Sequence, residues 1–347
     1  MNRLFGIIIL LFLCGCQPKI SQNLSEPQGR GLVQPLQTIA FGSCNRQDLP
    51  QGIWQDVLHT QPDLWIWLGD NIYGDTEDMD VMLQKYNLQK SNELYQKLRA
   101  TTPIIGIWDD HDYGVNDGDK NYPKKQESKA LMLDFLDVPA NAPVRTREGA
   151  YQSYTFGPAG QQVKIILLDA RYFRDELEKG EGDQSRRYLP NPVGDVLGEA
   201  QWQWLEAELI QSTAQIHLIG SGVQIIPEEH PYEKWANFPA ARQRLFELLV
   251  KTQPAGAILL SGDRHIAEIS RLELPGLPYP LYDLTSSGMT HAYTGAVGEA
   301  NRYRIGNLVN DKNFGVLSID WNAPTLKVSV TIRGWNDHVF MTQDIMK

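Results

Sequence analysis

Residues 64–73 read Leu-Trp-Ile-Trp-Leu-Gly-Asp-Asn-Ile-Tyr. Leu64 to Leu68 is a short apolar run that predicts a strand, and Gly69-Asp70-Asn71-Ile72-Tyr73 places a carboxylate directly at its carboxyl end. The same arrangement recurs on both sides of this stretch. Thr38 to Phe41 is followed by Gly42-Ser43-Cys44-Asn45, and Ile104 to Trp108 runs into Asp109-Asp110-His111-Asp112. Val163 to Leu168 leads to Asp169-Ala170-Arg171, and Ala257 to Leu260 to Ser261-Gly262-Asp263-Arg264-His265. Ile216 to Ile219 is a further run of this kind. Between the runs, Gly52 to His59, Asp78 to Arg99, Ala200 to Ile210 and Arg242 to Val250 carry apolar residues at helical spacing. The alternation predicts an α/β fold.

The last third changes character. Ala267 to Leu272, Leu281 to Thr285, Gly315 to Ile319 and Leu326 to Thr331 are strand-like runs joined by Pro, Gly and Asn turns, as antiparallel strands are. A second sheet packed on the first, with helices outside both, accounts for this without a separate second domain. The Pro-rich, charged stretch from Tyr113 to Glu148 reads as an insertion or lid, and the acidic stretch Asp75 to Asp80 as a cap for the helix that follows.

With 347 residues, 42% hydrophobic and 21% charged, the chain has the composition of a globular protein. Its formal net charge of -10 gives no broad basic surface, so no nucleic-acid partner is expected. No Gly-x-Ser-x-Gly nucleophile elbow is present, and no Gly-x-Gly-x-x-Gly follows the first strand. Those absences argue against a serine hydrolase and a dinucleotide oxidoreductase.

Ligands of α/β sheets gather at the carboxyl ends of the strands. Carboxylates crowded at one rim repel unless positive charge sits among them, and a metal pair supplies it. Hard carboxylates with an imidazole, a thiolate and a phenolate suit a hydrolytic dinuclear centre. Bland readings stand beside this one: Cys44 as a buried apolar residue, Tyr73 as core packing, and His291 as loop packing.

Gly69-Asp70 followed by Tyr73, Trp108-Asp109-Asp110-His111, and Gly262-Asp263 with His265 resemble the alkaline phosphatase D branch of the calcineurin-like metallophosphoesterases. The resemblance runs from about Thr38 to the end of the chain. It implies a four-layer α/β/β/α sandwich of two mixed sheets flanked by helices, and hydrolysis of phosphate mono- or diesters. Two motifs of the wider superfamily differ here: Cys44 stands in place of the opening Asp-x-His, and Asp110 in place of the Asn before His111. Gly220-Ser221-Gly222-Val223-Gln224 occupies the stretch where a later ligand His is usual.

The resemblance implies that Asp70 bridges two metals, with Cys44, Tyr73 and His265 completing the first site and Asp110 and Asp263 joining Asp70 at the second. A thiolate and a phenolate favour a trivalent ion, implied to be Fe3+; an all-oxygen shell suits Ca2+. A metal-bound hydroxide would attack phosphorus in line, with His111 serving the leaving oxygen. Arg171, or secondarily Arg264, would clamp the phosphate. Asp109, Ser287 and His291 are assigned supporting or substrate contacts. The alternative is a non-catalytic lipoprotein that uses this scaffold for envelope binding.

The amino terminus shows an apolar run from Leu4 to Leu13, then Leu13-Cys14-Gly15-Cys16. The run is shorter than the roughly 20 residues of a membrane-spanning helix and resembles a bacterial lipoprotein signal. Residues 1–15 are expected to be removed and Cys16 acylated, anchoring an exported protein to the lipid bilayer of the cell envelope. Gln17 at the next position points to the outer membrane in a two-membrane cell. Residues 16–35 read as a flexible tether and 36–347 as the folded domain, with Cys44 the one free thiol left after acylation.

Overall fold

The computed structural model describes residues 34–180 and 188–346. The expected signal segment, Cys16 and residues 17–33 of the tether lie outside the described residues. The elements in chain order are β1 (Thr38–Gly42), α1 (Ile53–His59), β2 (Leu64–Leu68), α2 (Met79–Ser91), α3 (Glu93–Thr101), β3 (Ile104–Ile107), α4 (Asp110–Tyr113) and α5 (Lys125–Phe135). Then come β4 (Gln152–Phe156), β5 (Val163–Leu167), β6 (Glu178–Lys179), β7 (Tyr188–Leu189), α6 (Gly198–Ile210), β8 (Ile216–Gly220), α7 (Pro239–Thr252) and β9 (Ala257–Ser261). The chain closes with β10 (Ala267–Leu272), β11 (Leu281–Ser286), β12 (Arg304–Val309), β13 (Phe314–Asp320), β14 (Lys327–Arg333) and β15 (Val339–Met346). No helix among the described residues is long and apolar enough to cross a membrane.

Two large mixed sheets carry the fold. The first has the order β15-β14-β13-β1-β2-β3 and the second β12-β10-β11-β9-β8-β5-β4. Within them β1, β2 and β3 run parallel, as do β5, β8, β9 and β11. Side-chain alternation on the strands explains the layering. Trp65 and Trp67 of β2 turn outward and meet Trp54 and Tyr95 of the helical layer at ring separations of 4.8–5.8 Å. Leu68 points inward: a Cβ added at Gly220 of the facing sheet would lie 3.1 Å from it. On the other side Ile166, Ile219 and Leu259 bury against Trp202, Leu205 and Leu209 of α6 and Leu245 and Leu249 of α7. The result is helices, sheet, sheet, helices.

The expected strand runs all form strands, but the last third does not make a sheet of its own. Strands β10 to β12 extend the second sheet, whereas β13 to β15 extend the first, with β13 pairing antiparallel to β1 across most of the chain length. The helix expected over Asp78 to Arg99 is two helices. Asn92 is extended, and its side chain accepts hydrogen bonds from the Leu94 and Tyr95 amides, ending α2 and capping α3. The Tyr113–Glu148 stretch contains α5, whose Met132, Leu133 and Phe135 are buried in the main core, Phe135 lying 4.9 Å from the Tyr86 ring.

Leu36 and Gln37 lead into β1 at the end opposite Ser43 and Cys44, fixed there by the Trp321 indole on the Leu36 carbonyl and the Ile319 amide on that of Gln37. From Thr38 to Cys44 the chain advances up to about 20 Å. Chain entrance and strand-end rim therefore lie at opposite poles.

Candidate metal centre

The carboxyl ends of β1, β2 and β3 meet those of β8 and β9 at one rim. Contact between the two sheets there is so close that glycine is required: a Cβ at Gly262 would lie 2.5 Å from Ser43 Oγ and 2.6 Å from the Leu68 carbonyl oxygen. Leaving the strands, the backbone turns abruptly. Cys44, Asp70, Asp263 and His265 all sit in the left-handed region, with φ of 59°, 48°, 66° and 54°. Strained conformations at residues with side chains concentrate at functional sites, and four of them here hold the groups that the sequence singled out.

Asp70 is the hub. Its Oδ2 lies 3.4 Å from Cys44 Sγ and 3.3 Å from the Tyr73 hydroxyl, which is in turn 2.8 Å from His265 Nε2. Its Oδ1 faces the other way and accepts from the His111 amide at 3.3 Å; that amide also reaches Asp110 Oδ1 at 3.0 Å. Three overlapping groups each have ligand atoms within 4.8 Å of one another: Cys44, Asp70 and His265; Asp70, Asp110 and His111; and Asp109, Asp110 and Asp263. Asp70 and Asp110 each belong to two of these groups.

The electrostatics fit a cation-binding site. Burial pushes the Cys44 thiol well up, with Asp70 and Asp263 adding to the effect. Burial likewise raises Asp70, opposed by His111 and reinforced by Asp110, Asp109 and Asp112, and it raises Asp263, reinforced by Asp110. At Asp70 and Asp263 burial and mutual repulsion outweigh the nearby His111 and Arg171, and a bound metal would add the missing positive charge. Asp110 differs: against burial, Arg171 and His111 hold its carboxyl below the ordinary range. Burial, together with His291 and His111, keeps His265 down at about 3, so its imidazole is neutral and able to ligate. His111 is pushed up to about 11 despite burial, by Asp70, Asp110 and Asp75.

The remaining predicted residues occupy different positions. Arg171 is fully buried and spent on carboxylates: its Nε donates to Asp109 Oδ1 at 2.5 Å and its Nη1 to Glu233 Oε2 at 2.6 Å, with Nη2 3.9 Å from Asp110 Oδ1. Arg264 points at Glu299, with Nη2 2.5 Å from its Oε1, and its guanidinium covers the Tyr232 ring. His291 packs beside His265 at a ring separation of 4.3 Å and beside Tyr73 at 5.2 Å. Ser287 is buried and fastens the loop after His265 by bonding both the amide and the carbonyl of Ile266. Gln224 donates to Glu268 and Thr285, and Ser221 accepts from the Trp235 indole, so both serve the loop after β8.

Three contributors were not singled out from the sequence. Asp112 accepts from the amides of Asp70, Asn71 and Asp109 and thereby ties two strand-end turns together. Glu233 bridges Arg171 and, at 3.0 Å, Arg174; it sits far along the loop after β8 and not at the strand end, so the strand-end signal could not find it. Asp75, expected to help cap a helix, instead holds His111 Nδ1 at 2.7 Å, and Asp78 alone caps α2.

A family model described as PhoD-like phosphatase matches residues 39–304. The chain is 25% identical over 288 residues to alkaline phosphatase D of Bacillus subtilis (strain 168), covering 70% of this chain and 48% of the relative. It thus spans about half the length of the curated relative it matches. Among solved structures, one of PhoD superimposes with a TM-score of 0.63 at 18% identity, covering 93% of this chain and 73% of that one. A dimetal phosphatase from Danio rerio gives 0.55 at 13%, covering 90% and 99%.

Proposed function

The chain belongs to the PhoD-like phosphatase family, and from that premise we propose that it is a metal-dependent phosphoesterase acting on phosphate mono- or diesters. The observation that carries this reading is the sharing of Asp70 and Asp110 among three ligand clusters at one rim. Cys44, Tyr73 and His265 gather at one oxygen of Asp70, and the donor set of thiolate, phenolate and imidazole suits Fe3+. Asp110 and Asp263, with Asp70, offer oxygen ligands suited to Ca2+. When bound, such cations supply Lewis-acid charge and a water of lowered pKa.

The chain's own residues do the rest. Asp112 and the left-handed turns hold the carboxylates convergent before any ligand arrives. Arg171 balances Asp109 and keeps Asp110 ionised, ready to ligate. His111, at the edge of the centre with its amide on Asp70 and its Nδ1 on Asp75, is placed to give a proton to the leaving ester oxygen. His111→Ala is expected to lower kcat by about 10²-fold or more while metal content, measured by elemental analysis, is retained. An equal loss of metal would make His111 a ligand instead.

The function is tested with bis-4-nitrophenyl phosphate beside 4-nitrophenyl phosphate, each with added calcium and then with chelator. Hydrolysis of at least one ester and its loss on chelation are expected; chelator-insensitive turnover would overturn the proposal. Export and anchoring through acylated Cys16 complete the proposal, supported by the lipobox-like run at residues 13–16. Radiolabelled palmitate incorporation, abolished in Cys16→Ala, tests it.

A further inference from the structure

We propose that Arg46, on the loop after β1, is a substrate-binding residue that receives a second negative charge carried on the organic part of the ester, an inference that rests on the phosphoesterase reading above. The two arginines expected to meet substrate are not free to do so, since Arg171 and Arg264 are buried and paired with carboxylates. Arg46 is different. Its side chain is 44% exposed, and its guanidinium lies 5.9 Å from the ring of Tyr73, whose hydroxyl belongs to the cluster around Asp70. His291 lies 5.2 Å from the same ring and is linked to Arg46 through Thr290, whose hydroxyl accepts from the Arg46 amide at 2.8 Å and is 3.0 Å from His291 Nδ1.

The loop fixes the base of this side chain and leaves its head in solvent. The Asn45 amide donates to the Asp70 carbonyl at 2.9 Å, and Gln47 Oε1 accepts from the Tyr73 amide at 2.8 Å, so the residues on both sides of Arg46 are tied to the loop that carries Asp70. Among the described residues the only ion-pair partner of the guanidinium is Asp48, which takes Nε at 3.1 Å and Nη2 at 2.8 Å and is itself 48% exposed. Such an exposed pair is worth little, and it leaves three of the five guanidinium N–H groups for an oxyanion. Charge gives the placement its meaning. The floor of the centre is lined with carboxylates, whereas Arg46 and Lys312 both bear on His291 at its edge. An ester with one charged end on the metals would meet a cation with its other end, and the guanidinium fork matches a carboxylate or a phosphate there.

The test reads a charge preference: kcat/KM on a 4-carboxyphenyl ester divided by that on its uncharged isostere, the 4-carbamoylphenyl ester. Both are supplied to the metal-loaded protein as phosphate monoesters and as methyl diesters. The wild type is expected to prefer the charged ester, and Arg46→Ala to lower that preference about 10-fold, mainly through KM. Arg46→Lys keeps the charge without the fork and is expected to fall between the two; it serves alone if the alanine variant does not fold. Asp48→Asn releases the guanidinium and should raise the preference by up to about 5-fold, a gain absent from the Arg46→Ala/Asp48→Asn double variant. A merely structural role would lower kcat/KM on both esters alike and leave their ratio unmoved. That result, no preference in the wild type, or an Asp48→Asn gain that persists without Arg46 would overturn the assignment. Should the wild type cleave none of these esters, the phosphoesterase reading fails on its own. The same ratio is then taken from the Kd values of 4-carboxyphenylphosphonate and 4-carbamoylphenylphosphonate by calorimetry: a preference that depends on Arg46 supports the assignment, and its absence refutes it.

Discussion

Asp70→Asn is expected to abolish both metal binding and turnover, lowering kcat/KM by more than about 10³-fold, well beyond the 10- to 100-fold typical of outer-shell changes. The two oxygens of Asp70 face different groups, Cys44 and Tyr73 on one side and the His111 amide, beside Asp110, on the other. An amide cannot supply both with a negative oxygen. Elemental analysis and kinetics check the loss; full metal occupancy in the variant would remove the bridging role.

The same substitution should raise the stability of the chelator-treated protein. Buried Asp70 has its pKa raised, with Asp110, Asp109 and Asp112 opposing its charge, so ionising it costs folding energy. The sign is that of a carboxyl whose folded pKa lies above its unfolded one: stability is greatest at low pH and falls as pH rises through the folded value. Asp112, pushed up to about 7 by burial, places part of this fall between about pH 4 and 7. Thermal melts across that range, with and without metal, should show the fall in the stripped protein and a weaker one in the loaded protein. A flat profile in the stripped protein would contradict the account.

Arg171→Met is expected to cost about 3–5 kcal/mol, because it leaves buried Asp109 without its partner and Glu233 with Arg174 alone. The denaturant midpoint should drop accordingly, and adding Glu233→Gln should recover part of the loss. Were Arg171 chiefly a phosphate clamp, the midpoint would hold and KM would rise instead. A loss under about 1 kcal/mol would favour that second role.

Much of the site could be read from the sequence because its grammar is local. An apolar run followed at once by Asp, Cys or His marks a strand end, and five such marks already imply one rim. What remained hidden is non-local or conformational. Pairing of β13 with β1 depends on packing between segments far apart in the chain. Strands β12 and β15 are largely half-exposed and broken by polar residues, so no run as long as those of the inner strands announces them. Asn92 interrupts a helical pattern through its side-chain bonds, which spacing does not reveal. Likewise, Asp75 read as one of several acids before a helix until its left-handed turn brought it to His111.

The distance between Leu36 and Cys44 along β1 separates the point where the chain enters the domain from its reactive rim. In a molecule moored through its first residues, the stalk would join about one strand length away from the reactive face, so the anchor itself would leave the mouth uncovered. Soluble esters and polymers from the surrounding fluid would then reach it without passing the stalk.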